Sequence, residues 1–212
     1  MRLLGWFKNK LFPKLMTKKL FEQGAYHESG HIIMAYLARF KSDQVTLLQN
    51  EPGSGFTRFD YSDPRITLII AALKSYVDDP TIYNALDNSL KNSTPQIAFK
   101  ILGTLLGGPV SEALYKTGVT FEGELPIEVS GPDLRSIESI HLYLSNNIAN
   151  HPPNYIDGAM EQVITLLKQP NFWTAIEHLA STLLNSPNKT LNRQQIENSL
   201  LTSGFLNFIE QK

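Results

Sequence analysis

Cysteine is missing altogether from these 212 residues. That excludes a disulfide framework and thiolate metal ligands, so any metal site must be assembled from His, Asp and Glu. Net charge is also nearly absent: 19 Lys and Arg stand against 20 Asp and Glu, for a formal charge of -1. No general field favours nucleic acid, and no nucleic-acid partner is expected. Long apolar runs are missing too. The longest, 66–73 and 101–110, fall short of the ~20 residues that cross a bilayer. The first twenty residues lack an unbroken apolar core and a small-residue cleavage site, so no secretory leader is expected. An apolar content of 42% and a charged content of 18% are ordinary for a soluble globular protein, and a cytoplasmic location is the expectation. The length suits one sizeable core.

What the chain does contain is a short stretch with the residues of a metal site, Ala25-Tyr26-His27-Glu28-Ser29-Gly30-His31-Ile32-Ile33-Met34. The flanking pattern (Leu20, Phe21, Ala25, then Ile32, Ile33, Tyr36, Leu37) is helical. On a helix, residues four apart share a face, so His27 and His31 can converge on one ion with Glu28 beside them. Zinc accepts neutral nitrogen and carboxylate ligands and, in catalytic sites, keeps a position for water; a carboxylate next to that water can take its proton. The alternative is a pair of ordinary core histidines. Gly30 argues for the site, because a mid-helix Gly costs about 1 kcal/mol relative to Ala and commonly marks a close approach by another segment.

Residues 1–19 form a segment of their own, in which Arg2, Lys8, Lys10, Lys14, Lys18 and Lys19 alternate with Leu3, Leu4, Trp6, Phe7, Leu11, Phe12, Leu15 and Met16. Such a basic amphipathic segment can lie on an anionic membrane or pack against the chain's own core. Pro13 should interrupt a helix there. From residue 20 to 212 a single domain is expected, mainly α-helical with a small β-element. The motif helix should end near Arg39 or Phe40. Residues 43–49 and 56–61 are β-prone around the turn chemistry of Pro52-Gly53-Ser54-Gly55 and should pair as a hairpin, which could be purely structural or could offer an edge to a substrate backbone.

Asp63-Pro64 should open a helix reaching Val77, and 84–93 reads as surface helix and loop. Thr94-Pro95 has the chemistry of a cap and first turn. Gly107-Gly108-Pro109 should bend or restart that helix, which should stop at Gly118. Residues 120–131 read as an acidic loop, followed by a helix from Ser130-Gly131-Pro132-Asp133. Three more helices are expected near 159–168, 171–185 and 193–203, the last opened by a capping box of Asn192 and Gln195.

Two histidines do not hold a catalytic zinc, so a third ligand must come from elsewhere. Glu112, Asp133, His141, His151 and His178 are all candidates, and spacing does not choose among them. A carboxylate in a first helical turn, as at Asp133, is favoured by the helix dipole in any case.

The motif resembles the Ala-Tyr-His-Glu-Ala-Gly-His signature of FtsH-type zinc metalloproteases. The likeness continues in order through Val45-Thr46-Leu47, through Leu105-Leu106-Gly107-Gly108-Pro109-Val110-Ser111-Glu112-Ala113-Leu114, through Ser130-Gly131-Pro132-Asp133-Leu134, and along the leucines from Leu179 to Leu200. It covers nearly the whole chain from about residue 20. It implies an FtsH-like peptidase fold, zinc on His27, His31 and Asp133, Glu28 as the catalytic base, and Glu112 in a supporting position. Pro109 stands where the family has Arg. No Gly-x-x-x-x-Gly-Lys-Ser/Thr phosphate loop is present, so ATP-driven degradation is not implied.

The expected activity is therefore ATP-independent zinc-dependent hydrolysis of peptides or unfolded protein segments. A peptidase-like adaptor that binds clients or FtsH-type subunits without cleaving is the alternative. A homo-oligomer is the family's arrangement, and peripheral membrane contact would fall to the basic N-terminus.

Overall fold

The computed structural model describes residues 3–148 and 154–211, with side chains from Met16 onward. His151 and most of the basic N-terminal side chains lie outside the described residues.

The chain is mainly helical with a small three-stranded antiparallel sheet. Helix α1 spans Leu3–Leu37 and carries both the basic segment and the motif. It passes through Pro13, where a break was expected; the chain keeps helical geometry despite the bond Pro13 cannot make. Strands β1 (Lys41–Leu47) and β2 (Gly55–Asp60) pair from Lys41↔Asp60 to Leu47↔Gly55, with an irregularity between Ser42 and Gln44. The expected hairpin is thus present but incomplete as an account of the sheet. Strand β3 (Thr190–Asn192) adds antiparallel to the other side of β1. The order is β2-β1-β3, which leaves β2 as an edge strand among the described residues.

Helix α2 (Pro64–Ser75) opens where Asp63 predicts, its side chain accepting from the Arg65 N–H. A 3-10 turn at Pro80–Ala85 follows. Then comes α3, one helix from Asn88 to Thr117 that runs through Pro95 and Pro109. The sequence pattern predicts a start at Thr94-Pro95 and a bend or restart at Gly107-Gly108-Pro109. The actual cap is Asp87, whose carboxylate accepts from the Leu90 N–H. The Lys91 carbonyl, four residues before Pro95 and so left without its helical donor, accepts from the Tyr83 hydroxyl at 3.4 Å. Gly118, at φ 93°, ends the helix as expected.

Helices α4 (Gly131–Asn147), α5 (Tyr155–Leu167), α6 (Pro170–Asn185) and α7 (Arg193–Thr202) complete the expected set, and a short α8 (Phe205–Glu210) was not foreseen. The Asn192–Gln195 capping box forms in both directions. By length and composition alone α3 could cross a membrane, at a mean hydropathy of 1.3, because the structure joins what the sequence divides. Most of that stretch, 78%, is buried within the chain, which accounts for its apolarity.

The core is continuous. Ile32, Ile33 and Ala35 of α1, Ile101, Leu102 and Leu106 of α3, and Leu179, Ala180 and Leu183 of α6 are essentially solvent-free. Aliphatic burial of this kind contributes about 25 cal/mol per Å² of apolar surface removed from water. It fixes α1 between α3 and α6, and so fixes where the motif points.

Candidate metal centre

The α1–α3 crossing sets the geometry, and glycine permits it. A Cβ placed on Gly30 would lie 2.1 Å from the Gly107 carbonyl oxygen and 2.6 Å from the Ser111 Cβ. One on Gly108 would lie 2.4 Å from His31 Nε2 and 2.8 Å from His27 Nε2. Both backbones therefore touch where side chains would hold them apart. The Ser111 hydroxyl donates to the Tyr26 carbonyl at 2.8 Å across the same contact. The Gly-Gly pair read from sequence as a bend is the seat of the motif.

His27 and His31 project from α1 onto this seat as the four-residue spacing requires. Asp133 arrives from the first turn of α4, where Gly131-Pro132 starts the helix and the Ser130 side chain makes no capping bond. His27 Nε2, His31 Nε2 and Asp133 Oδ2 form a triangle with sides of 3.1, 3.1 and 3.2 Å. Ligand atoms about 2.0 Å from a tetrahedral zinc lie about 3.3 Å from one another, so the triangle has the dimensions of three such ligands.

The outer nitrogens explain why the inner ones point inward. His31 Nδ1 lies 2.8 Å from the Thr104 carbonyl oxygen, an acceptor only, so Nδ1 carries the proton. His27 Nδ1 lies 3.1 Å from Glu112 Oε2 and donates there in the same way. Neutral imidazoles protonated at Nδ1 present lone pairs at Nε2. Two lone pairs and a carboxylate oxygen then converge with no donor among them, an arrangement that needs a cation in its midst. A proton is one such cation. Burial pulls His27 towards its neutral form, but the hydrogen bonds to Asp133 and Glu112 and the nearby carboxylate charges outweigh it, raising its pKa to about 9. Burial likewise opposes ionisation of Asp133, and its bonds to both imidazoles override that and hold the carboxyl well below its usual range. The donor set of two imidazoles and a carboxylate is one that zinc accepts.

Among the described residues these three are the group able to hold a metal ion. Glu112 is instead behind His27, shared with the Lys116 ammonium at 2.6 Å. The other candidates are engaged elsewhere: His141 Nδ1 pairs with the Tyr155 hydroxyl and His178 Nδ1 with the Ser199 hydroxyl, each at 2.8 Å. The site is partly covered, with His31 nearly buried and 22% of the His27 and Asp133 side chains exposed.

Glu28 is 5% exposed. Its Oε2 accepts a 2.6 Å hydrogen bond from the Thr57 hydroxyl on β2, and a Cβ on Gly55 would lie 2.8 Å from its Oε1. Thr57 and the Thr104 carbonyl escaped sequence reasoning. Neither belongs to a motif, and both matter only through contacts the fold creates.

No family model, curated protein or solved structure matches this chain. What the site can do follows from its own atoms.

Proposed function

We propose that this chain is a zinc-dependent peptidase acting on peptides or unfolded segments, with an FtsH-like proteolytic fold. The observation that carries the reading is the convergence of His27 Nε2, His31 Nε2 and Asp133 Oδ2 at 3.1–3.2 Å, a cluster that holds its imidazoles neutral only around a cation. The His-Glu-x-x-His spacing and the ordered resemblance to FtsH-type proteases support it. Zinc at such a site supplies a Lewis acid and brings the pKa of water towards neutrality. His27, His31 and Asp133 would hold it, with Glu112 and the Thr104 carbonyl orienting the two rings. Glu28, next to His27 and buried beside β2, would take the proton from the attacking water and return it to the leaving amine. As an edge strand among the described residues, β2 would offer backbone groups to an extended peptide. A cytoplasmic location, with membrane contact through residues 1–19, belongs to the same proposal.

The test is metal analysis of the purified chain followed by casein cleavage. One zinc per chain and hydrolysis that Glu28→Gln reduces about 10²-fold or more is the expected result. Cleavage by Glu28→Gln at the unaltered rate would overturn the mechanism. Bound zinc without cleavage of any unfolded substrate would favour the adaptor.

A further inference from the structure

Glu28 is held by the strand that borders the site. Its carboxylate is nearly covered, and the 2.6 Å bond from Thr57 Oγ1 is the hydrogen bond that fixes its direction. Gly55 closes against its other oxygen, so the carboxylate lies between the hydroxyl and a backbone that leaves no room for a side chain. Thr57 is itself locked: it pairs with Val45 in the β1–β2 ladder, and Val45 is fully buried. Residues alternate across a strand, and the exposed Phe56 and Arg58 flank the half-buried Thr57, which faces the helix. The strand is anchored at its far end by Asp60, which accepts from the Arg193 guanidinium at 2.9 Å. A carboxylate accepting a short hydroxyl bond in a covered site loses little freedom when it acts, because its direction is already set.

We infer that Thr57 is a positioning residue for Glu28, its hydroxyl holding the carboxylate at the β2 side of the site and away from the imidazole nitrogens. This deepens the peptidase reading and rests on it. Removing the hydroxyl frees Glu28 to turn towards His27, its neighbour on α1, and to compete for the position that water needs. Because β2 is an edge strand among the described residues, a peptide that pairs with it would add to the strand that orients the base. Substrate and proton acceptor are thereby set by one element.

The experiment compares the full-length wild type, Thr57→Val and Thr57→Ser, each loaded with Co²⁺ and each assayed on casein. Valine keeps the shape of threonine without the hydroxyl; serine keeps the hydroxyl without the methyl. The expected result is a visible Co²⁺ spectrum altered in Thr57→Val and preserved in Thr57→Ser. A kcat reduced about tenfold or more in Thr57→Val, with KM within twofold, should accompany it and be rescued by serine. An unchanged spectrum or an unchanged kcat in Thr57→Val overturns the inference, as does an equal loss in Thr57→Ser, which would make the role one of packing. A wild type that binds Co²⁺ but cleaves nothing refutes the peptidase reading alone, and the spectra still decide the tether. A wild type that binds no Co²⁺ refutes both.

Discussion

The described histidines fall into two regions that treat the same side chain differently. On α4 and α6, outside the triangle, His141 and His178 each meet a hydroxyl at 2.8 Å, Tyr155 in one case and Ser199 in the other. A hydroxyl donates or accepts as required, so the paired nitrogen is satisfied in either tautomer. Between α1, α3 and α4, His27 and His31 meet a carboxylate and a carbonyl on their outer sides and a second carboxylate on their inner sides. Those partners accept only. The first kind of contact asks for nothing more at that nitrogen and the second calls for a cation, so the chemistry of the partners separates a packing histidine from a candidate ligand.

The sharpest way to break that comparison is to remove an inner acceptor. Asp133→Ala or His31→Ala should abolish stoichiometric zinc binding, whereas His178→Ala should leave it intact and cost only about 1 kcal/mol in unfolding free energy for its hydrogen bond. Calorimetric zinc titration and denaturant unfolding of the variants check both halves. Equal loss of zinc in His178→Ala would erase the distinction.

Next in size is the contact that brings the helices together. Gly30→Ala forces a Cβ against the Gly107 backbone, where nothing flexible can yield. About 3 kcal/mol of destabilisation is expected, at the upper end for overpacking, with zinc affinity falling in step. Gly158 of α5 has open space at its Cβ position, and Gly158→Ala should instead stabilise by up to about 1 kcal/mol. Chemical denaturation of the two variants shows whether the glycines of the site differ in kind from a glycine elsewhere.

The pH dependence sharpens the comparison further. In the metal-free protein His27 has a pKa of about 9 against 6.5 unperturbed. Its contribution to stability is therefore complete below about pH 6.5 and lost as the pH rises through 9. Asp133 has the opposite sign: its depressed value contributes above its ordinary 3.8 and is lost as the pH falls. Zinc competes with the His27 proton, so the rise in Tm on adding zinc should grow between pH 6.5 and 9. A zinc shift that stays flat over that interval would place the metal away from His27. The smallest effect is expected outside the triangle: Asn192→Ala removes one half of the capping box and should cost about 1 kcal/mol with zinc binding untouched.

Local signals were legible where the physics is local. Asp63-Pro64, Gly118 and the Asn192–Gln195 pair act within a few residues, and each works as its spacing predicts. The misreadings share one cause. Pro95 and Pro109 look like boundaries when only the chain's own bonds are counted, yet α3 is buried along most of its length and gains more by packing than two prolines remove. The third strand went unseen because three residues, Thr190–Asn192, carry no period; they become a strand through pairing with Gln44, Val45 and Thr46, nearly 150 residues away.

The sequence by itself determined that His27 and His31 share a helix face with Glu28 between them, and that any metal here must be held by nitrogen and oxygen. Both follow from helix geometry and composition, which need no partner. Only the tertiary structure decided that Asp133 faces the two Nε2 atoms while Glu112 stands behind His27, and that Thr57 reaches Glu28. Those outcomes depend on how closely α1 approaches α3. That distance is set by Gly30 against Gly107, a contact between residues far apart in the chain.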